Sequence, residues 1–536
     1  MKAIDLYSGI GGWTLGLEMA GLNVCRCYEW WDRALDTYNS NLRPVAIKQD
    51  IRELNPSDID IEDVDVVVGS PPCTQFSYAN RGGGGDLEDG LKDVKKFLDV
   101  VRQTKPKFWA MENVPRVGHI LKKEIALGGQ LEEYADLVKV ITVVDMSEFG
   151  LPQRRKRMIA GDFPLDILLS YRKQLPSRTL GQVISALNGE NPVDPIYGVS
   201  TVLLTEMEQE IALDPEEYRL NQSAKNYHPV YNQMSFPDAL DRPSRTVTAL
   251  CTRVSRESIV IHESPDSENV RRLSVRERAS LQGFPITYQF FGKTHAEKIK
   301  MVGNAIPPLI TYYLAMAMKS VEASALPSIE SVSVPVEEPK HSPKITPPNG
   351  NGRNFPISRS FRAAIKNLRF GSGMRFQLKN SKDYPFWSVQ FFYGNSKDIR
   401  NLELNTNLLS GLKKLEIWKR LEAPYAKGRD RLTKLLNATD HKHLQQVWSR
   451  KGSGVGPFEV SDNLGDWAND IIATGLDREA LITFVLNTLS DNSTIALGTF
   501  SRKIEANAEA VFAGLIVGSW FNTEGIKMLE PKRTAA

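Results

Sequence analysis

The chain has 536 residues, a mass of 60.0 kDa, 41% hydrophobic and 24% charged positions and a formal net charge of +3, which is material for about two to four domains at roughly 150 residues each. Four cysteines in so long a chain exclude a disulfide scaffold, and the spacing of Cys25 and Cys27 excludes a zinc knuckle. No run reaches the ~18 apolar residues of a membrane span, so a soluble, unprocessed protein of a reducing, cytoplasmic compartment is expected, with no metal.

Short β-rich apolar runs alternate with longer amphipathic ones through the N-terminal part: Ala3 to Tyr7, Leu22 to Tyr28, Val64 to Val68, Lys107 to Met111, Val138 to Val144 and Arg157 to Ala160. This βαβα rhythm predicts an α/β fold, a mostly parallel sheet covered by helices, with its ligand beyond the carboxyl ends of the strands. The first run leads into Ser8-Gly9-Ile10-Gly11-Gly12 and then a helix from about Trp13, which lets a cofactor approach bare backbone. The spacing Gly-x-Gly-Gly departs from the dinucleotide fingerprint and speaks against NAD. The second run ends at Glu29-Trp30, about 20 residues on, where a carboxylate reaches a ribose hydroxyl pair. Asp50, followed by Ile51, could accept from an adenine amino group. Together these suggest a nucleoside-bearing cofactor without a pyrophosphate.

The third run enters Gly69-Ser70-Pro71-Pro72-Cys73-Thr74-Gln75-Phe76-Ser77. Two prolines fix the backbone before one cysteine and present its thiol at a strand end, which a buried inert cysteine does not require. Behind it lies Tyr78-Ala79-Asn80-Arg81 and four glycines, a hinge suited to a mobile lid. The next strand end supplies Glu112-Asn113-Val114-Pro115. Then Gln153-Arg154-Arg155-Lys156-Arg157 leads into an apolar strand, where alternation aims Gln153, Arg155 and Arg157 at the edge that carries the thiol. The site thus holds a nucleophile, an acid and guanidinium donors. None of the seven histidines lies in these segments.

Over roughly residues 1–320 the sequence resembles the cytosine-C5 DNA methyltransferase family. The motifs in order are Asp5-Leu6-Tyr7-Ser8-Gly9-Ile10-Gly11-Gly12, Pro71-Pro72-Cys73, Glu112-Asn113-Val114, Gln153-Arg154-Arg155-Lys156-Arg157, Arg272-Leu273-Ser274 with Arg276-Glu277-Arg278, Gln282-Gly283-Phe284-Pro285, and Gly303-Asn304-Ala305-Ile306-Pro307-Pro308. Ser274 stands where the family more often has threonine. The resemblance implies a Rossmann-like, S-adenosylmethionine-dependent methyltransferase fold with a small target-recognition region. It implies Cys73 as nucleophile toward cytosine C6 and Glu112 on the N3 edge, with Arg155 assisting at the base and Arg157 supporting the site, partly by lowering the Cys73 pKa. Cofactor contacts carry over to Tyr7, Ser8, Gly9, Gly11, Gly12, Glu29, Trp30, Asp50, Ile51, Pro71, Asn304 and Ala305, the last two on a segment that returns to the glycine loop. The target base must be flipped from the duplex. Gln75, Ser77, Arg81 and Gln153 are expected DNA contacts, joined by Arg245, Arg253 and Arg256 from a variable stretch dense in arginine and hydroxyls.

The resulting domain order is 1–163 catalytic and cofactor-binding, 164–271 target recognition, 272–320 return to the catalytic domain, 321–356 a disordered linker rich in Pro, Ser and Gly, and 357–536 a separate α-rich accessory module. In that module Met374 to Leu378 and Trp387 to Tyr393 look like strands and most of Leu408 to Trp520 looks helical. Lys and Arg outnumber Asp and Glu 19 to 7 over residues 357–450, against 41 to 46 before and 7 to 11 after. That asymmetry, with interleaved Phe361, Phe370, Phe376 and Trp418, suits a DNA contact by phosphate pairing and base stacking; an ordinary aromatic core under a charged surface is the alternative. The expected partner is double-stranded DNA, which would place a monomer on the nucleoid, and a cognate restriction endonuclease is admitted beside it. Two rival readings are a tRNA cytosine methyltransferase and a non-catalytic DNA-binding protein that keeps the fold.

Overall fold

The computed structural model describes the chain apart from residues 60–61, 74, 77–85, 202, 227–233, 339–341, 349, 351–353, 371–372, 382–385, 395–398, 403, 492–500 and 531–536. Two units emerge, Met1–Glu217 with Phe236–Asn349, and Tyr218–Ser235 with Gly350–Ala536.

In the first unit the β-branched run Val66-Val67-Val68 is buried on both faces, as a central strand of a parallel sheet requires. Around it form β1 (Lys2–Leu6), β2 (Asn23–Glu29), β3 (Ile47–Lys48), β4 (Val66–Gly69), β5 (Phe108–Asn113), β6 (Val140–Asp145) and β7 (Lys156–Asp162), in the sheet order β3-β2-β1-β4-β5-β7-β6. All the strands expected upstream are present, with ends displaced by one or two residues. Sequence pattern does not carry strand direction, and β7 alone runs antiparallel to its neighbours β5 and β6. A two-stranded antiparallel pair, β8 (Val260–His262) and β9 (Val270–Arg272), lies in the variable stretch.

The helices of this unit are α1 (Gly12–Met19), α2 (Asp32–Asn41), α3 (Leu87–Thr104), α4 (Pro115–Glu124), α5 (Leu165–Ser170) and α6 (Leu180–Leu187), the opening residues of α7 (Pro215–Asn226), then α8 (Val275–Leu281), α9 (His295–Asn304) and α10 (Pro308–Met318). Helix α10, Pro-Leu-Ile-Thr-Tyr-Tyr-Leu-Ala-Met-Ala-Met, is buried all round and packs on α1. Each of its Leu and Ile side chains contributes about 1.5–3 kcal/mol by leaving water. Ser274 begins α8 with a capping box: its hydroxyl accepts from Glu277 N at 3.2 Å and the Glu277 carboxylate accepts from Ser274 N at 2.7 Å. Threonine would do the same, so the departure at Ser274 costs nothing here.

The stretch 321–356, expected to be a disordered linker, is held in place over its first half. Ile329 is buried in the first unit's core and Val321, Leu326, Val332, Val334 and Val336 pack against it, while Glu337 N donates to Asn41 O at 2.7 Å. The physical reason is the row of β-branched residues between the prolines, apolar area that the Pro and Ser content concealed.

In the second unit β10 (Arg362–Arg369), β11 (Met374–Asn380), β12 (Trp387–Gly394) and β13 (Ile399–Leu402) form an antiparallel meander in that order. The helices α11 (Thr406–Lys413), α12 (Trp418–Asn437), α13 (His441–Trp448), α14 (Pro457–Ile472), α15 (Arg478–Asp491), α16 (Ser501–Ala506) and α17 (Ala508–Trp520) follow. Phe376 stacks on Phe391 at 4.4 Å and Trp467 meets Trp520 edge-on at 5.1 Å between sheet and helices. Phe361, Phe370 and Phe376, expected as stacking platforms, are 2%, 6% and 0% exposed and belong to this core. Among the described residues no helix is long and apolar enough to cross a membrane.

Candidate active site

Strand order reverses between β1 and β4, whose ends lie level, Leu6 opposite Gly69. That reversal is where an open α/β sheet leaves a crevice for ligand. The two loops leaving it are tied together by Trp13 Nε1, which donates to Ser70 Oγ at 3.0 Å. Gly9 has φ +56° and a side chain there would meet nothing within 4 Å, so bare backbone lines open space. Gly12 is needed for another reason: a Cβ would stand 2.0 Å from Ile306 O, which places the segment after α9 directly on the glycine loop, as expected.

Glu29 braces that loop, accepting from Gly9 N at 2.8 Å and Trp31 N at 2.7 Å, and its burial raises its pKa. Trp30 beside it is 61% exposed, an indole face presented to solvent. Asp50 is exposed and caps the short turn that buries Ile51. Ser8 binds Tyr28 O, and Asn304 is exposed at the end of α9. The Tyr7 hydroxyl donates to Asp93 O at 3.2 Å beside the Arg52–Asp93 ion pair, and its backbone turns into the glycine loop at φ 58°.

Asp5, fully buried beneath the loop, accepts from Thr14 N and Oγ1 with one oxygen and leaves Oδ1 without a partner. Burial pushes its pKa up to about 8, against the pull of the Thr14 hydrogen bonds. Between about pH 4 and pH 8 the folded chain therefore holds a proton that the unfolded chain releases, and stability falls as pH rises through that window. Asp5→Asn carries no such proton. The midpoints at pH 5 and pH 8 of the transition in which the first unit unfolds are expected to differ less for the variant than for the wild type.

Across the crevice, Asn113 Nδ2 at the end of β5 donates to Pro71 O at 3.0 Å and fixes the Pro-Pro-Cys loop. Sequence reasoning left Asn113 without a role, although it lay inside the Glu112-Asn113-Val114 motif. Cys73 is partly exposed there. Glu112, on the same strand end, accepts from Arg157 Nε at 3.0 Å, with 6% and 15% of the two side chains exposed. Burial pushes the Cys73 thiol above its ordinary value and Glu112 pushes the same way, while Arg157 and Arg155 pull it down without reversing the balance. Arg157 thus lowers the Cys73 pKa as expected, but burial and Glu112 outweigh it.

Alternation holds from Gln153 through Arg155 to Arg157 at the start of β7, but the side chains divide the work differently from expectation. Arg155 donates to Val247 O, Gly303 O and Ala305 O, each at 3.1 Å, and keeps only Nε without a hydrogen bond. Gln153, expected at the DNA, is turned into the interior instead. It is fully buried, donates to Leu281 O and to Gln282 Oε1 at 2.7 Å, and accepts from Val247 N, while Gln282 reaches Ala305 O. Three motifs far apart in the chain and the variable stretch at Val247 are joined by these contacts.

The other expected DNA contacts are also engaged internally. Arg245 grips Asp238 with two nitrogens and reaches Arg256 O and Ser258 O. Arg253 binds Glu217 and Glu210 with 10% of its side chain exposed. Arg256, half-buried, gives its carbonyl to Arg245. Gln75 accepts from Asp86 N at 3.0 Å beside the cap of α3. Ser77, Arg81 and the glycine hinge fall outside the described residues.

The family described as C-5 cytosine-specific DNA methylase matches residues 1–320 of this chain. The chain belongs to that family. Among its relatives, the type II methyltransferase M.HindV of Haemophilus influenzae is 27% identical over 344 residues, 61% of this chain and 100% of its own length. The type II methyltransferase M1.HphI of Haemophilus parahaemolyticus is 31% identical over 331 residues, 59% of this chain and 86% of its own. The enzyme is a DNA cytosine-C5 methyltransferase, and its methyl donor is S-adenosylmethionine. The crevice of this methylase fits such a donor: a glycine loop open at Gly9, a carboxylate at Glu29, an exposed indole at Trp30 and a second acid at Asp50 suit a nucleoside that carries no phosphate.

Proposed function

We propose that the enzyme methylates C5 of a cytosine flipped out of a DNA duplex, within one short specific sequence, through a covalent bond between Cys73 and C6. The observation that carries this reading is the Glu112–Arg157 pair placed so that both charges act on the Cys73 thiol at the crevice.

Cytosine C5 is a poor nucleophile until C6 bears an electron-rich adduct. Cys73 Sγ bonds to C6 as its proton is taken up at N3, where the ring's electron density collects, and Glu112, held by Arg157, accepts the hydrogen bond of the N3–H so formed. Arg155 Nε, the one donor of that side chain without a partner, adds a hydrogen bond to the base. When bound in the crevice, S-adenosylmethionine would supply an electrophilic methyl carbon to the electron pair at C5, its sulfonium–methyl bond breaking to leave S-adenosylhomocysteine. Glu29 and Asp50 would hold its ribose and adenine, Trp30 offers an indole face for the adenine, and the backbone of Tyr7 to Gly12 with Ile51, Pro71, Asn304 and Ala305 would close the walls. Loss of the C5 proton to solvent then breaks the Sγ–C6 bond by β-elimination, and the proton on N3 returns to sulfur, which restores both the aromatic ring and the free cysteine. The type II naming of the relatives supports a partner restriction endonuclease.

The test is base-resolution 5-methylcytosine mapping of DNA from cells that express the wild type or Cys73→Ser. Methylation confined to one short motif and absent in the variant is the expected result. A wild type that leaves DNA unmodified while methylating tRNA would replace this reading.

A further inference from the structure

The variable stretch expected to read DNA does not stay in one unit. Residues Tyr218–Ser235 belong with Gly350–Ala536, so the chain passes between the units at 217/218, 235/236 and 349/350. The last two turns of α7 are built into the second unit. Arg219 makes a two-nitrogen pair with Asp462 at 2.9 and 2.7 Å and lies 4.2 Å over the Phe458 ring, Leu220 packs on the second core, and Arg369 donates to Asn226 O. Phe458 and Asp462 are both on α14.

One residue further along α14, Asn463 lines an open cleft of about 650 Å³ whose other wall is α12, through Lys427, Arg431 and Lys434. Helix α12 buries Leu421, Tyr425, Gly428, Leu432 and Leu436 as one stripe. The face away from that stripe is basic. Lys419, Arg420, Lys427 and Lys434 are exposed on it, and Lys413 and Lys414 precede it. Of the two acids on α12, Asp430 is paired with Arg429 at 2.8 Å. Among the described residues Lys414, Lys419, Arg420, Lys427 and Lys434 have no ion-pair partner, whereas Arg245 and Arg253 of the recognition stretch are turned inward onto carboxylates. Phe361, Phe370 and Phe376 are buried and the half-buried Trp418 packs on Tyr425, so the stacking platforms that single-stranded nucleic acid needs are taken up in packing and charge is what the exposed face presents. An exposed row of cations without aromatics suits the phosphates of a duplex.

We propose that the basic face of α12, with the cleft it forms against α14, binds the phosphate backbone of the substrate duplex, so that the second unit is part of the DNA-binding apparatus. This rests on the reading of the enzyme as acting on duplex DNA. Each phosphate neutralised releases counterions, so binding through this face weakens as salt rises. Because Asp462 and Phe458 hold a piece of the recognition stretch on the same α14, phosphate binding and base reading share a support. Deleting the second unit would also strip Arg219 and Leu220 of their partners, and the test therefore keeps the full chain.

The experiment compares the wild type with the full-length quadruple variant Lys419→Gln, Arg420→Gln, Lys427→Gln, Lys434→Gln. Fluorescence anisotropy measures binding to duplex DNA from 50 to 200 mM salt, and calorimetry measures S-adenosylmethionine binding as the check on folding. The slope of log affinity against log salt is expected to fall by about 0.9 for each phosphate that the variant no longer neutralises, with cofactor affinity unchanged. The single variant Lys427→Gln, expected to lower it by about 0.9, stands in should the quadruple variant fold poorly. A slope equal to that of the wild type overturns the proposal, as does a slope that changes with tRNA and not with duplex DNA. DNA binding by a wild type that methylates no DNA would sink the catalytic reading and leave this surface standing.

Discussion

Cys73→Ser is expected to lower the rate of methyl transfer by about 10⁴-fold or more, read as labelled methyl groups incorporated per enzyme at saturating DNA and cofactor. A serine hydroxyl is far less nucleophilic than a thiol, and the site offers it no histidine base; each tenfold is about 1.4 kcal/mol of barrier, so the loss corresponds to at least about 5.5 kcal/mol. The neighbouring charges make a second, sharper demand. Burial and Glu112 hold the thiol pKa up while Arg157 and Arg155 oppose them. The rate of wild-type turnover is therefore expected to rise with pH from neutrality as the thiolate fraction grows. Without substrate, alkylation at Cys73 followed by peptide mass spectrometry is expected to titrate at lower pH in Glu112→Gln and at higher pH in Arg157→Gln. Shifts in the same direction in both variants would contradict the placement of the two charges around the thiol. Cys25 and Cys251 are also partly exposed, which is why the readout is the Cys73 peptide.

The strand ends were legible because the information there is local. A β-branched run followed by Gly-x-Gly-Gly or Pro-Pro-Cys specifies both an element and the turn that ends it, and the sheet then brings those turns together. What could not be read is whatever depends on partners far apart in the chain. Gln153 sits in a run of cations beside the nucleophile and looks like a DNA contact, yet its partner is Gln282, 129 positions away. Arg245 and Arg253 carry the residue type of a phosphate contact, but Asp238, Glu217 and Glu210 fold back on them, and burial cannot be inferred from residue type. Cys73 shows the same limit in electrostatic form. The two arginines were visible in the sequence and do pull the thiol down, whereas the desolvation that outweighs them is a property of the packed site. The transfer of Tyr218–Ser235 to the second unit left no trace in composition, since a helix with one partly buried leucine and one half-exposed ion pair resembles any surface helix.

Glu210→Ala is expected to destabilise the recognition region by about 3–5 kcal/mol at pH 7. The stretch 203–214 has no helix or strand before α7, so its shape depends on side-chain anchors. Glu210 is completely buried and meets Arg272 Nε, Arg253 NH1 at 3.5 Å and His295 Nε2 at 3.4 Å. Removing it leaves the buried Arg272 guanidinium with the Cys251 carbonyl and thiol as its remaining partners, an uncompensated charge in a dry site. Burial by itself would raise the Glu210 pKa, but His295 and Arg272 bring it down to about 2. A depressed carboxylate contributes stability that is fully present above its ordinary pKa and lost as pH falls from about 4.5 towards 2. The difference between wild type and variant is therefore expected to be constant from pH 7 to pH 5 and to shrink below it. Hydrogen exchange across 203–214 and 270–278 reads this locally, which matters in a chain of two units where one global unfolding midpoint is not well defined. S-Adenosylmethionine binding, built on β1, β2 and β4, is expected to survive the substitution, while discrimination between the target sequence and other duplex DNA is expected to fall. Loss of cofactor binding together with discrimination would mean instead that the network around Glu210 supports the whole catalytic sheet.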